Sequence, residues 1–267
     1  MFTKIESLQN KSIKNLIALR DKSRLRKKQG QFIIEGVQEV KLAIESGYQI
    51  ESIYVCFSII NVNQFKHTIG SLLKNVKYIE VTKEVYEKVA YRSTTEGIVA
   101  LATTKDLHIN KFTFDSSNPL ILVAEAPEKP GNIGALLRTA DAAGVDAFII
   151  ANPKTDLYNP NVIRSSVGGV FTTPVAYGTT AEIIHFLKEH QVNIYTAILQ
   201  SSISCYQQDF IQPTAIVVGT EHDGLTEEWR NNATQNIIIP MSGKIDSLNV
   251  SVAASIMIFE AKRQRGF

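Results

Sequence analysis

Three stretches of the chain place glycines, polar side chains and an arginine at the ends of apolar runs, where they could handle a charged ligand. In EKPGNIGALLRTA (128–140), Gly131 and Gly134 follow an apolar run and open a helix, so free backbone N–H groups there suit an anion. Arg138 falls one helical turn beyond Gly134, and its planar fork can give a phosphate two parallel hydrogen bonds. In VVGTEHDGL (217–225), an apolar strand runs into a polar turn bounded by Gly219 and Gly224. Ligands of open α/β sheets collect beyond such strand ends. Gly219 would let a ligand approach the backbone, Glu221 would orient a polar group, and His222 reads as a solvated loop residue. In IIIPMSGKIDSLNVSV (237–252), an apolar strand ends at Pro240, and Ser247, Asn249 and Ser251 open a helix among Leu248, Val250 and Val252. One cap suffices for a helix, so the surplus of polar side chains favours a site.

Other chemistries find no support. The chain has no GxGxxG or GxxxxGK[ST] phosphate loop, no GxSxG nucleophile elbow and no HExxH pair. Its histidines, at 67, 108, 185, 190 and 222, form no ligand spacing, so no metal is expected.

Such a site needs elements that carry distant stretches to one edge of a sheet. Strands are expected at FIIEG (32–36), IESIYVC (50–56), VKYIEV (76–81) and GIVALAT (97–103). Helices are expected over 37–47 and 64–75, and after Thr82, which can cap one. Strand–helix alternation predicts an α/β unit with parallel pairing. The polar segment 104–118 reads as a boundary, giving a first domain at 1–105, a linker at 106–118 and a second domain at 119–267. PLILVAEA (119–126) is almost continuously apolar, as in a sheet covered on both faces. Strands are further expected at 146–152, 173–178, 193–199, 214–220 and 236–241, and helices at 132–144, 161–171, 179–190 and 248–263.

Composition bounds the rest. Of 267 residues, 44% are hydrophobic and 20% charged, enough for a sizeable core and unlike a disordered chain. No apolar run approaches a membrane span, the first residues lack the apolar stretch of a signal peptide, and a reduced cytosol suits Cys56 and Cys205. A cytoplasmic location is therefore expected. The net charge of +2 hides an asymmetry, since residues 1–30 hold nine basic and two acidic side chains. This basic arm, with Lys22, Arg24, Arg26, Lys27 and Lys28 clustered at its end, suits a partner of concentrated negative charge such as nucleic acid.

Taken together, NIGALLRTADAAG, GTEHDGL and IPMSGKIDSLNVSVAASIMIFEAKRQR resemble, in order and separation, the three signature motifs of the SpoU (TrmH-like) RNA ribose methyltransferases of the SPOUT superfamily. Residues 1–105 resemble the small substrate-binding domain that often precedes that module. The resemblance implies an α/β methyltransferase domain with a deep trefoil knot, S-adenosylmethionine as cofactor, and a homodimer whose active sites are completed at the subunit interface. It implies cofactor-binding positions at Gly219, Ile239, Met241 and Leu248. It implies Arg138 as the catalytic arginine and Asn132, Glu221, Ser247 and Asn249 as further active-site positions. The expected reaction is methylation of a ribose 2′-hydroxyl, in large-subunit (23S) rRNA rather than tRNA, with the basic arm gripping RNA phosphates. The competing readings are a non-catalytic RNA-binding or assembly factor and a nicotinamide-dependent oxidoreductase, the latter weakened by the missing GxGxxG.

Overall fold

The computed structural model describes residues 3–70, 76–92, 96–220, 224–244 and 247–267. By its contacts the chain divides into two units, Met1–Asp106 with Asp156–Thr172, and Leu107–Thr155 with Thr173–Phe267.

In the first unit the basic arm is not free. After a short strand β1 (Thr3–Ile5), it folds into helices α1 (Lys11–Asp21) and α2 (Ser23–Gln29). Ile13, Leu16 and Leu19 recur at helical spacing along α1 and are buried in the core, with Asn10 accepting from the Ser12 N–H as the cap. There follow β2 (Gln31–Glu35), α3 (Val37–Glu45), β3 (Ile50–Val55), the short α4 (Val62–Phe65), β4 (Lys77–Val81), α5 (Lys83–Val89) and β5 (Ile98–Thr103). Thr82 caps α5 as expected, accepting from the Val85 N–H. The sheet order is β1-β4-β3-β5-β2. Parallel pairing holds for β1, β4 and β3, but β5 runs antiparallel to both β3 and β2. The sheet is therefore mixed, not parallel throughout. Alternation of elements does not fix strand direction where a connection crosses to the far side of its neighbour.

The second unit opens with β6 (Leu120–Glu125), α6 (Pro130–Ala143) and β7 (Ala147–Ala151). The chain then leaves it. Helices α7 (Pro160–Ser165) and α8 (Gly169–Thr172) lie in Asp156–Thr172, which packs with the first unit although the sequence division puts it in the second. Two interactions anchor the excursion. Arg26 Nε donates to Asp156 Oδ2 at 2.6 Å, while its Nη1 donates to the carbonyls of Leu19 and Arg20. Tyr158 lies against Phe32 and Tyr48, and its hydroxyl accepts from the Lys105 N–H at 3.0 Å. Burial and the neighbouring Tyr48 push the Tyr158 phenol well above its ordinary ionisation, so it stays neutral.

This places Arg26 outside the RNA-contacting set predicted for it. It is 2% exposed and committed to Asp156, while Lys22, Arg24, Lys27 and Lys28 are exposed. Arg26→Ala strands the Asp156 carboxylate in a buried setting and is expected to cost about 3–5 kcal/mol in urea unfolding. A destabilisation below ~1 kcal/mol would contradict the role.

The second unit continues with β8 (Val175–Gly178), α9 (Thr180–Glu189), β9 (Asn193–Ala197), β10 (Ile203–Ser204), β11 (Thr214–Val218), α10 (Glu227–Asn232), β12 (Gln235–Ile238) and α11 (Val250–Arg265). Strand β10 and helix α10 are short and carry no clear period, and the sequence does not announce them. The sheet, ordered β10-β12-β9-β11-β6-β7-β8, is parallel at every pairing. Strands β6, β7 and β11 are buried along their whole length, which explains their unbroken apolar runs. Arg265 fastens the end of α11 by donating to the carbonyls of Asn118, Pro119, Phe210 and Gln212.

Candidate active site

Strands β12, β9 and β11 are neighbours, and a cleft of about 550 Å³ opens beyond their carboxyl ends. Its walls come from Ala197–Gln200 after β9, from Thr220, Gly224 and Leu225 after β11, and from Ile237, Ile238, Ile239 and Met241 at the end of β12. Ser247 and Leu248, just before α11, and Ala253 and Met257, on it, close the cleft. The lining is mostly aliphatic with a few hydroxyl, amide and guanidinium groups, and the size suits one small ligand.

The turn after β11 depends on one glycine. Thr220 N donates to the Gly224 carbonyl at 3.1 Å, folding the turn back on itself. A Cβ on Gly219 would lie 2.3 Å from Gly224 C and 2.7 Å from Leu225 N. Gly219 is thus required by the turn's own backbone, and it acts on the cleft through Gly224 and Leu225. Of the expected cofactor positions, Ile239, Met241 and Leu248 line the cleft directly, as does the expected active-site Ser247. Glu221, with His222 and Asp223, lies outside the described residues.

At the rim, α6 meets α11. Asn249 is the N-cap of α11, its Oδ1 accepting from Ser251 N at 3.0 Å and Ser251 Oγ at 2.6 Å. Its Nδ2 points at Asn132 Oδ1 at 3.4 Å. Thr139 Oγ1 and Ser255 Oγ lie 2.7 Å apart further along the same helix pair. Asn249 therefore both caps a helix and tethers α11 to the Asn132 amide of α6. Next to it, Leu248 reaches into the cleft. Arg138 is exposed on α6 and has no ion-pair partner among the described residues. The expected anion cradle needs correction. Helix α6 starts at Pro130, so Gly134 is buried within it rather than at its open end, while Gly131 remains exposed in the first turn.

Sequence reasoning missed the β9 end, Ala197–Gln200, and the α10 residue Arg230, both on the cleft wall. The first was findable, because NIYTAIL is a parallel strand and its carboxyl end faces the ligand edge. It also passed over Glu125, a buried carboxylate ending β6. Among the described residues no three His, Cys, Asp or Glu side chains gather as a metal set, and no helix is long and apolar enough to cross a membrane.

A parallel α/β sheet with a cleft at three adjacent strand ends and a polar, arginine-bearing rim defines a small-molecule-dependent enzyme domain. The SpoU rRNA Methylase family model matches residues 119–259, and an MRM3-like substrate binding domain model matches residues 10–100. The chain belongs to the SpoU rRNA methylase family. It is 27% identical over 258 residues to the 23S rRNA (guanosine(2553)-2′-O)-methyltransferase RlmP of Bacillus subtilis, covering 97% of this chain and 98% of that protein. Among solved structures, an RNA 2′-O ribose methyltransferase shares 35% identity at TM-score 0.85, covering 98% of this chain and 99% of that one. An AdoMet-bound rRNA methyltransferase from Sinorhizobium meliloti shares 26% identity at TM-score 0.88, with 98% of each chain covered.

Proposed function

We propose that this protein transfers a methyl group from S-adenosylmethionine to a ribose 2′-hydroxyl of large-subunit (23S) rRNA. The observation that carries the reading is the aliphatic cleft lined by Ile239, Met241, Ser247 and Leu248, with the Asn132–Asn249 pair at its rim. The cleft's residues fit the donor. Ile237, Ile239, Leu225 and Met257 offer apolar surfaces for an adenine, and Ser247 and Thr220 offer hydroxyls at the polar end. The relatives named for 2′-O-methylation of 23S rRNA and the AdoMet-bound neighbour support both donor and acceptor.

When bound, S-adenosylmethionine supplies an electrophilic sulfonium methyl. A ribose hydroxyl is a weak nucleophile at neutral pH and needs help losing its proton. Free arginine, with a pKa above ~12, is no base by itself. Arg138 instead holds the adjacent RNA phosphate by its two-pronged fork. The 2′-proton passes to that phosphate or to water as the oxygen attacks. Asn132, Asn249, Ser247 and Glu221 fix the donor and ribose so that methyl and oxygen align, the main source of rate.

The proposal extends to a homodimer, supported by the apolar side chains Val252 and Phe259 exposed along α11. It extends to a deep trefoil knot, supported by the path of the late strands: after β9 the chain forms β10 at the sheet edge, crosses to β11 on the other side of β9, and returns to β12 between β10 and β9. A cytoplasmic location is supported by two buried, unpaired cysteines.

Thermal shift tests the reading. S-adenosylhomocysteine at a hundredfold excess over its Kd is expected to stabilise the protein by about 2.7 kcal/mol, and NAD to do nothing. Mapping ribose methylation across total RNA with and without the protein identifies the nucleotide, and an unchanged set of 23S rRNA marks would refute the acceptor. The exposed basic cluster gives a separate expectation. Replacing Lys22, Arg24, Lys27 and Lys28 by glutamine should weaken RNA binding and flatten its salt dependence, by about 0.7–0.9 in log–log slope for each phosphate no longer neutralised. Unchanged affinity at low and high salt would remove the arm from RNA binding.

A further inference from the structure

Glu125 ends β6, is 3% exposed and has no salt-bridge partner among the described residues. Burying a carboxylate without a cation is costly unless donors surround it. Three donors do. Oε2 accepts from Thr226 N at 2.9 Å, and Oε1 accepts from Thr226 Oγ1 and Thr180 Oγ1, each at 3.0 Å. Thr180 Oγ1 in turn accepts from Asn152 Nδ2 at 2.9 Å, which leaves the Thr180 proton for Glu125. One buried acceptor thus gathers the ends of β6 and β7, the start of α9 and the turn after β11.

Two details indicate that this tie takes precedence over local preferences. Thr226 occupies the N-cap of α10, where a threonine hydroxyl ordinarily accepts from the first turn, yet it makes no side-chain cap bond. Its hydroxyl is turned to Glu125 instead. Ala126 and Asn152, directly after β6 and β7, adopt left-handed backbone at φ 44° and 48°. That conformation is unfavourable for alanine in particular.

Thr226 follows Leu225 directly, and Gly224 and Leu225 form a wall of the cleft. We propose that Glu125 is a positioning residue for the methyl-donor cleft. It fixes the Gly224–Leu225 wall from behind, through Thr226, and so sets donor affinity without lining the cleft. This rests on reading the cleft as the donor site.

The test is calorimetric and kinetic, on the full-length protein with S-adenosylhomocysteine and the RNA substrate. Glu125→Gln keeps the size but replaces one acceptor oxygen with a donor. It is expected to weaken S-adenosylhomocysteine about tenfold or more and to raise KM for S-adenosylmethionine to match. At saturating donor kcat should stay within about threefold of wild type, and RNA affinity within about twofold. Thr226→Val, which removes one donor to Glu125, should act in the same direction. The double variant should be no weaker than Glu125→Gln alone, because both act through one tie. If Glu125→Gln does not fold, Thr226→Val carries the comparison. Donor affinity within about twofold of wild type in the folded variants, or equal weakening of donor and RNA binding, would overturn the inference. Failure of the wild type to bind S-adenosylhomocysteine would instead sink the reading of the cleft.

Discussion

Arg138→Ala is expected to lower the single-turnover rate of methyl transfer by about 10³-fold, in the range seen when one group stabilising a developing charge is removed. The thermal shift given by S-adenosylhomocysteine should be that of the wild type. The separation follows from where the side chain lies. Arg138 is exposed on α6, does not line the cleft, and has no ion-pair partner among the described residues, so its removal leaves donor binding and the core untouched. Arg138→Lys keeps the charge but not the planar fork, and should recover a minority of the rate. Turnover of the alanine variant near that of wild type would end the catalytic assignment.

Gly219→Ala is the second large effect, and it falls on the other ligand. The added Cβ would meet the Gly224 carbonyl carbon at 2.3 Å, its oxygen at 2.4 Å and the Leu225 nitrogen at 2.7 Å. These are backbone atoms and cannot swing aside as a flexible side chain would. The turn must open, the Thr220–Gly224 hydrogen bond must break, and Leu225, now 1% exposed, must leave the cleft wall. S-adenosylhomocysteine affinity should fall by more than ~30-fold in titration calorimetry. Overpacking of this kind costs about 1–3 kcal/mol, which lowers Tm by several degrees without unfolding the protein at room temperature. Wild-type donor affinity in this variant would show that the turn does not shape the cleft.

Arg138, Asn132, Ser247, Leu248 and Asn249 stand in motifs that are readable together, through their order and separation, rather than singly. Glu125 is not readable, because a glutamate closing an apolar run looks like the exposed end of a strand. Its burial becomes visible once Thr180 and Thr226, 55 and 101 residues further along the chain, are seen to donate to it. Arg26 misleads in the opposite sense. Beside Lys27 and Lys28 it looks like one more solvated cation, and its partner Asp156 is 130 residues away.

Most of the strands and helices, the parallel character of the second sheet and the motif residues at the ligand edge are legible in the order of the amino acids. They follow from local causes, namely apolar runs, helical spacing, caps and glycine turns. The antiparallel placement of β5, the packing of Asp156–Thr172 with the first unit, the burial of Arg26 and the tie at Glu125 emerge only in the folded chain. Each of these turns on a pairing between residues far apart in the chain. The free energy of such a pair depends on burial and on which donor meets which acceptor, and neither quantity is written in a residue's neighbours along the sequence.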